Sequence, residues 1–209
     1  MKRILERTNI QDYTLEGIQG RELKDLTVGV IGTGRIGRTV ISNLSGFGCR
    51  ILAYDLYENE EVKRYGQYVS LEELWKEADV ITMHTPLTEE NFHLVNEKTL
   101  SQMKDGVVIV NTARGALIDS EALIAGIENG KIGAAALDVV ENEFGLYYYD
   151  HKSDVLSNRE LAILRGFPNV TVSHHMAFYT DNYTKTVVRD SLSSCKLFME
   201  GKKNPWEVC

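Results

Sequence analysis

From Leu26 onward the chain is punctuated by six short, mostly apolar runs: VGVI (28–31), RILAY (50–54), VITM (80–83), VVIV (107–110), GAAAL (133–137) and NVTV (169–172). Runs this short and this continuous are expected of strands buried on both faces of a parallel sheet. Helix signals fill the gaps. Residues 35–44 follow the first run, and Ser70 with Glu73 makes a capping box ahead of LEELW. Asn96 can cap KTLSQM, and Asp119 or Ser120 can cap EALIAGIENG, which stops at Gly130. The alternation predicts an α/β domain with a doubly wound parallel sheet over residues 26–180. Residues 181–209 read as a long closing helix and tail, with the helix ending before Gly201. Residues 1–25 are polar and lack a strand signal. They read as a lead-in segment, either a solvated arm or the remainder of something that precedes it.

Composition narrows the classes. The 209 residues are 43% hydrophobic and 25% charged, as in ordinary globular domains. The net charge of -7 argues against a nucleic-acid-binding surface, which normally needs a basic patch. No apolar run is long enough for a membrane span, and the first residues lack the apolar stretch of a signal peptide. Cys49, Cys195 and Cys209 are scattered, which fits a reducing cytoplasm and suggests no metal site.

Directly after VGVI comes GTGRIG, with Gly32, Gly34 and Gly37 in the G-x-G-x-x-G pattern. The first glycine permits the tight turn and the second admits a pyrophosphate to the backbone amides. The third lets the helix approach the strand. The bare pattern is a weak signal, but it sits at a strand-to-helix junction, and Asp55 lies at the end of the next strand. A carboxylate there accepts from ribose hydroxyls and repels a 2′-phosphate, so the expected cofactor is NAD(H) rather than NADP(H).

Chemistry-bearing residues gather at the ends of the later strands, where such sheets bind ligands. Arg114, in VVIVNTARG, can grip a carboxylate bidentately. AALDVVENE offers Asp138, Glu141 and Glu143, and VTVSHH offers His174 and His175. A carboxylate beside a histidine stabilises imidazolium and fixes its tautomer, making a usable acid near neutral pH. Spacing alone does not choose among the three acids and two histidines.

GVIGTGRIG, the HTP at 84–86, NTARG at 111–115, LDVVENE at 137–143 and HHMAFYT at 174–180 together resemble the D-2-hydroxyacid dehydrogenase family. The loop ENEFGLYYYDH is most similar to its D-lactate and D-2-hydroxyisocaproate dehydrogenase branch. The resemblance covers essentially the whole chain and implies a Rossmann-like domain in an NAD-dependent oxidoreductase reducing 2-oxo acids to (R)-2-hydroxy acids. It implies that Arg114 binds the substrate carboxylate and polarises the ketone. His175, two residues before Ala177, would be the acid and Glu143 its paired carboxylate. Asp138 would contact the nicotinamide end. Arg35, Ile36, Asp55, Thr85, Pro86, Asn91, Thr112 and Ala113 match positions lining the cofactor site, beside the three glycines. A small-molecule 2-oxo or 2-hydroxy acid partner and a homodimer through the cofactor domain are implied too.

Two departures stand out. His174 occupies a position usually held by proline, and alternation along a strand predicts that it packs on the strand's other face. The family's N-terminal substrate-domain segment has no counterpart, so the chain is expected to be incomplete, binding NADH while reducing little alone. The alternatives are a non-catalytic NAD(H)-binding or sensing module, as in the family's transcriptional corepressors, and one half of a split enzyme. The tyrosines at 147–149 either border the side-chain pocket or serve only packing.

Overall fold

A computed structural model describes residues 2–206. They divide into two compact units, one running up to His174 and one from His175 onward.

The first unit is built on a seven-stranded, all-parallel sheet. In chain order the strands are β1 (Thr27–Ile31), β2 (Arg50–Tyr54), β3 (Gln67–Tyr68), β4 (Val80–Met83), β5 (Val107–Asn111), β6 (Ile132–Leu137) and β7 (Val170–Val172). Their spatial order is β3-β2-β1-β4-β5-β6-β7. The order reverses between β1 and β4, so a crevice opens at the carboxyl ends of those strands, where doubly wound sheets hold ligands. All six expected strands form. β3 has no apolar run to announce it; it pairs only with β2, through Leu52–Gln67 and Ala53–Tyr68.

Helices α1 (Lys2–Asn9), α2 (Arg35–Ser45), α3 (Leu71–Glu77), α4 (Glu97–Gln102), α5 (Ser120–Glu128) and α6 (Arg159–Gly166) complete this unit. Of the two candidate caps for α5, Asp119 takes the role, accepting from the Glu121 and Ala122 amides. Ser70 accepts from the Glu73 amide, while a reciprocal capping box forms at Asn96 with Thr99. The lead-in contains α1, whose Ile4 and Leu5 are exposed. Beyond it, Arg7 Nη1 donates to the Glu16 carbonyl at 2.6 Å and Asp12 accepts from both Thr14 donors, so the turn is tied down by polar contacts.

Two apolar clusters hold the sheet. One contains Ile31, Leu74, Trp75, Ile109, Leu123, Leu137 and Leu164; the other contains Val28, Val30, Ile41, Ile51 and Val62. The expectation that every strand is buried on both faces fails on the β5–β7 side. Along β5, Val107, Ile109 and Asn111 are buried while Val108 and Val110 are half-buried, and in β6 Ala134 and Ala136 are half-buried on either side of buried Ala135. An open cavity of about 480 Å³, lined by Ile4, Ile18, Val108, Ala134 and Ala136 among others, lies on that face. A β-branched run in a strand covered on one side reads the same as one covered on both, which is why the pattern misled.

The second unit contains α7 (Asp181–Met199), capped by Thr180 through the Tyr183 amide and ended at Gly201, φ 63°. Its Val187, Val188, Leu192, Phe198 and Met199 are exposed. No helix among the described residues is long and apolar enough to cross a membrane.

Candidate cofactor and substrate site

The three glycines at the end of β1 do different work. Gly32 has φ 91°, and a Cβ there would lie 2.6 Å from the His84 carbonyl. At Gly37 a Cβ would sit 1.9 Å from the Gly32 carbonyl oxygen, so the helix reaches the turn only because no side chain intervenes. Gly34 caps α2 in extended conformation, and a Cβ there would meet nothing within 4 Å. Its bare surface at the N-terminus of an eleven-residue helix fits a phosphate group approaching the backbone. Arg35 and Ile36 follow on the exposed first turn, Ile36 with two-thirds of its surface free.

Asp55 is held from several sides. The Thr33 amide and hydroxyl donate to Oδ2 at 2.6 and 3.1 Å, and the Tyr57 amide donates to Oδ1 at 3.1 Å. Burial pushes the carboxyl up, but these donors together with the Leu56 amide outweigh it and hold the group below the ordinary carboxylate value. Behind them, Tyr68 Oη lies 2.8 Å from Thr33 Oγ1 and accepts from the Asn59 amide. Thr33 gives its single hydroxyl proton to Asp55, so the Tyr68 hydroxyl donates to Thr33. Neither Thr33 nor Tyr68 is singled out by any motif.

After β4, His84 is half-buried, with Nε2 3.0 Å from Thr82 Oγ1; burial lowers its pKa. Thr85 and Pro86 open the following loop. Asn91 staples it shut, donating to the Pro86 carbonyl at 2.7 Å and accepting from the Thr88 amide at 2.8 Å.

The β5 end is set from below by Asn111, which is fully buried. Its side chain accepts from the Ala113 amide and donates to the Arg114 carbonyl at 2.8 Å, which fixes the turn through Thr112 and Ala113. Arg114 is exposed and bonds the Ala113 carbonyl through Nη1. Gly115 then runs against the next loop: a Cβ there would lie 2.1 Å from the Val140 carbonyl. At the end of β6, Asp138 is buried and accepts from Ser173 Oγ at 2.5 Å.

The three acids separate by environment. Glu141 is engaged at both oxygens, by His93 Nε2 at 2.6 Å and by the Ser120 amide at 2.8 Å. Glu143 is half-buried and accepts from the Val140 amide at 3.0 Å. Of the tyrosine run, Tyr147 is half-buried against the apolar core while Tyr148 and Tyr149 are exposed. Burial first, then the charges of Glu143 and Asp138, push the Tyr147 phenol up to about 12. Arg114, Asp138 and Glu143 thus sit on neighbouring loops of one unit.

The histidines part company. β7 ends at Val172, so His174 lies beyond the strand and is exposed rather than packed on its other face; the alternation rule has no strand left to act on. His175 opens the second unit. It is half-buried, takes φ 52°, and meets Phe178 edge-on with ring centroids 6.4 Å apart. Among the described residues no cluster of three or more His, Cys, Asp or Glu could hold a metal ion.

A glycine turn with room for a phosphate, an ionised carboxylate on the neighbouring strand and a strand-order reversal between them define a dinucleotide-binding domain of the doubly wound class. Residues 2–177 match the family described as D-isomer specific 2-hydroxyacid dehydrogenase, NAD binding domain, and the chain belongs to that family. Its cofactor is NAD.

An aromatic 2-oxoacid reductase of Clostridium sporogenes is 46% identical over 207 residues, covering 98% of this chain and 62% of the relative. A D-lactate dehydrogenase of Lactiplantibacillus plantarum is 42% identical over 95% of this chain and 60% of its own length. Among solved structures, a D-lactate dehydrogenase from Treponema pallidum superposes with a TM-score of 0.94 at 36% identity, covering 100% of this chain and 63% of the other. A D-lactate dehydrogenase from Lactobacillus jensenii with NAD+ gives 0.91 at 30% identity, with the same coverage. The chain therefore spans about three-fifths of the length of these relatives.

Proposed function

We propose that this chain is the cofactor-holding part of an NADH-dependent reductase that converts 2-oxo acids to (R)-2-hydroxy acids. The relatives named as 2-oxoacid reductase and D-lactate dehydrogenase support the reaction class. The observation that carries the reading is Arg114: an exposed guanidinium, its turn fixed by buried Asn111, at the carboxyl end of a strand beside the switch point.

In this reading the Gly32–Gly34–Gly37 turn and the first turn of α2, with Arg35 and Ile36, receive the pyrophosphate. Asp55 takes the adenosine ribose. Thr85, Pro86, Asn91, Thr112 and Ala113 line the crevice, and Asp138 meets the nicotinamide end. Arg114 grips the substrate carboxylate in a fork and leans on the carbonyl oxygen. His175, paired with Glu143, gives a proton to that oxygen as it gains charge. NADH, when bound, supplies the hydride to the carbonyl carbon, so one hydride and one proton convert C=O to CH–OH. Homodimers and a cytoplasmic setting complete the reading.

Titration of NADH fluorescence tests the core of it: saturable binding is expected, with NADPH much weaker because Asp55 repels a 2′-phosphate. No saturable signal with either nucleotide would sink the reading. Turnover of pyruvate or phenylpyruvate by this chain alone is expected to be slow, because the relatives are longer than the region they share with it. Where turnover is measurable, His175→Ala should lower it about a hundredfold or more, and His174→Ala should be mild. The reverse ordering would reassign the acid.

A further inference from the structure

We propose that His93, which no motif singles out, is a positioning residue that locks the loops of the nicotinamide half of the crevice into one register. The inference rests on the cofactor reading above.

His93 lies in the loop between β4 and α4, at φ 51°, stacked on Phe92 with ring centroids 3.9 Å apart. Its backbone amide donates to the Ala116 carbonyl at 2.9 Å, and its carbonyl accepts from Asn96 Nδ2 at 2.8 Å. Both backbone groups and one ring face are thereby fixed. The imidazole then reaches two acids on two other segments, with Nε2 2.6 Å from Glu141 Oε1 and Nδ1 3.7 Å from Asp119 Oδ2. An ionised carboxylate only accepts, so Nε2 carries a proton toward Glu141.

Each acid has a second duty. Glu141 Oε2 accepts from the Ser120 amide, and Asp119 caps α5 through the Glu121 and Ala122 amides. The Glu141 carbonyl is held by Asn158 Nδ2 at 2.8 Å. His93 therefore ties together three segments: residues 84–96, the Arg114 turn through its amide on Ala116, and the 138–143 loop through its ring on Glu141. The last carries Asp138 and Glu143, and Gly115 already presses on its Val140–Glu141 peptide. None of these contacts involves the glycine loop or Asp55. In a sheet built from two mononucleotide halves, the latch therefore serves only the half beyond β4. A displacement of about 1 Å in such loops is enough to cost a hundredfold in a positioned reaction.

Calorimetric titration with two ligands separates this role from general structural support. NADH uses both halves of the crevice, and ADP-ribose lacks the nicotinamide. His93→Phe keeps the stack and removes the donor. It should weaken NADH about tenfold while ADP-ribose stays within about twofold, and His93→Gln, which restores an N–H donor, should recover most of the loss. If thermal melts show that His93→Phe does not fold, Glu141→Gln carries the test. It should weaken NADH at least about threefold, again sparing ADP-ribose. Unchanged NADH affinity in the folded variants, an equal loss for ADP-ribose, or a failure of His93→Gln to recover would overturn the proposal. A wild-type chain that binds neither ligand would instead sink the cofactor reading beneath it.

Discussion

The two halves of the crevice reach the same end by different means. Around β1 to β3 the site is made of backbone: a glycine turn, the amides of Thr33 and Tyr57, and one carboxylate that they hold ionised. Around β4 to β6 it is held largely by side chains: Asn111 on the backbone of its own turn under Arg114, and, across separate loops, Ser173 on Asp138 and His93 on Glu141. A backbone-built site constrains which residues are absent, and glycine records that absence in the sequence. A site built by side chains meeting across loops leaves no local pattern.

Each half nevertheless contains a glycine at a very close approach to backbone, Gly37 in one and Gly115 in the other, and that shared feature allows the comparison to be broken. The largest effect is expected at Gly37→Ala, whose Cβ would lie 1.9 Å from the Gly32 carbonyl oxygen. Helix α2 must move, and the cost should reach or exceed the upper end of the overpacking range, about 3 kcal/mol. Thermal unfolding and loss of binding to both NADH and ADP-ribose would report it. Gly115→Ala meets the Val140 carbonyl at 2.1 Å and should cost about 1–3 kcal/mol. Here NADH binding should suffer more than ADP-ribose binding; equal losses would mean that the halves are not separately built.

Asp55→Asn should narrow the preference for NADH over NADPH about tenfold, read from paired fluorescence titrations. Its pH signature is fixed in sign. The folded group titrates below its ordinary value of 3.8, so its contribution to stability is complete above that value. It is lost as pH falls through the lower native value, and the melting difference between wild type and variant should shrink there.

The smallest effect on the apo protein is expected at Gly34→Ala. The backbone is extended and the Cβ finds open space, so stability should hold or rise by up to about 1 kcal/mol. NADH should bind more weakly all the same. A destabilised variant would show that the bare surface is occupied within the fold itself.

The same contrast explains what the sequence could and could not disclose. Six strands and the glycine turn were legible because each is a local pattern of apolar runs or absent side chains. β3 was missed because two residues, Gln67 and Tyr68, form no pattern, and α6 because its short stretch begins at an asparagine cap amid polar residues. The coverage of the sheet was misjudged at Val108, Val110, Ala134 and Ala136, where apolar character says nothing about which neighbours exist. Thr33, Asn111 and His93 went unnoticed for a different reason. The partners of Thr33 and His93 lie 22 and 48 residues away and are brought close only by folding, while Asn111 acts on the backbone of its own turn, where the residue type alone does not announce the bond.

Tyr68 gives the short third strand a further meaning. Its hydroxyl supports Thr33, and Thr33 in turn steadies Asp55, the carboxylate we propose as the one that selects the nucleotide. The selecting group is therefore tethered to the outer margin of the sheet, its edge strand β3. Drift in that margin can retune nucleotide choice while the turn beneath the phosphates stays untouched.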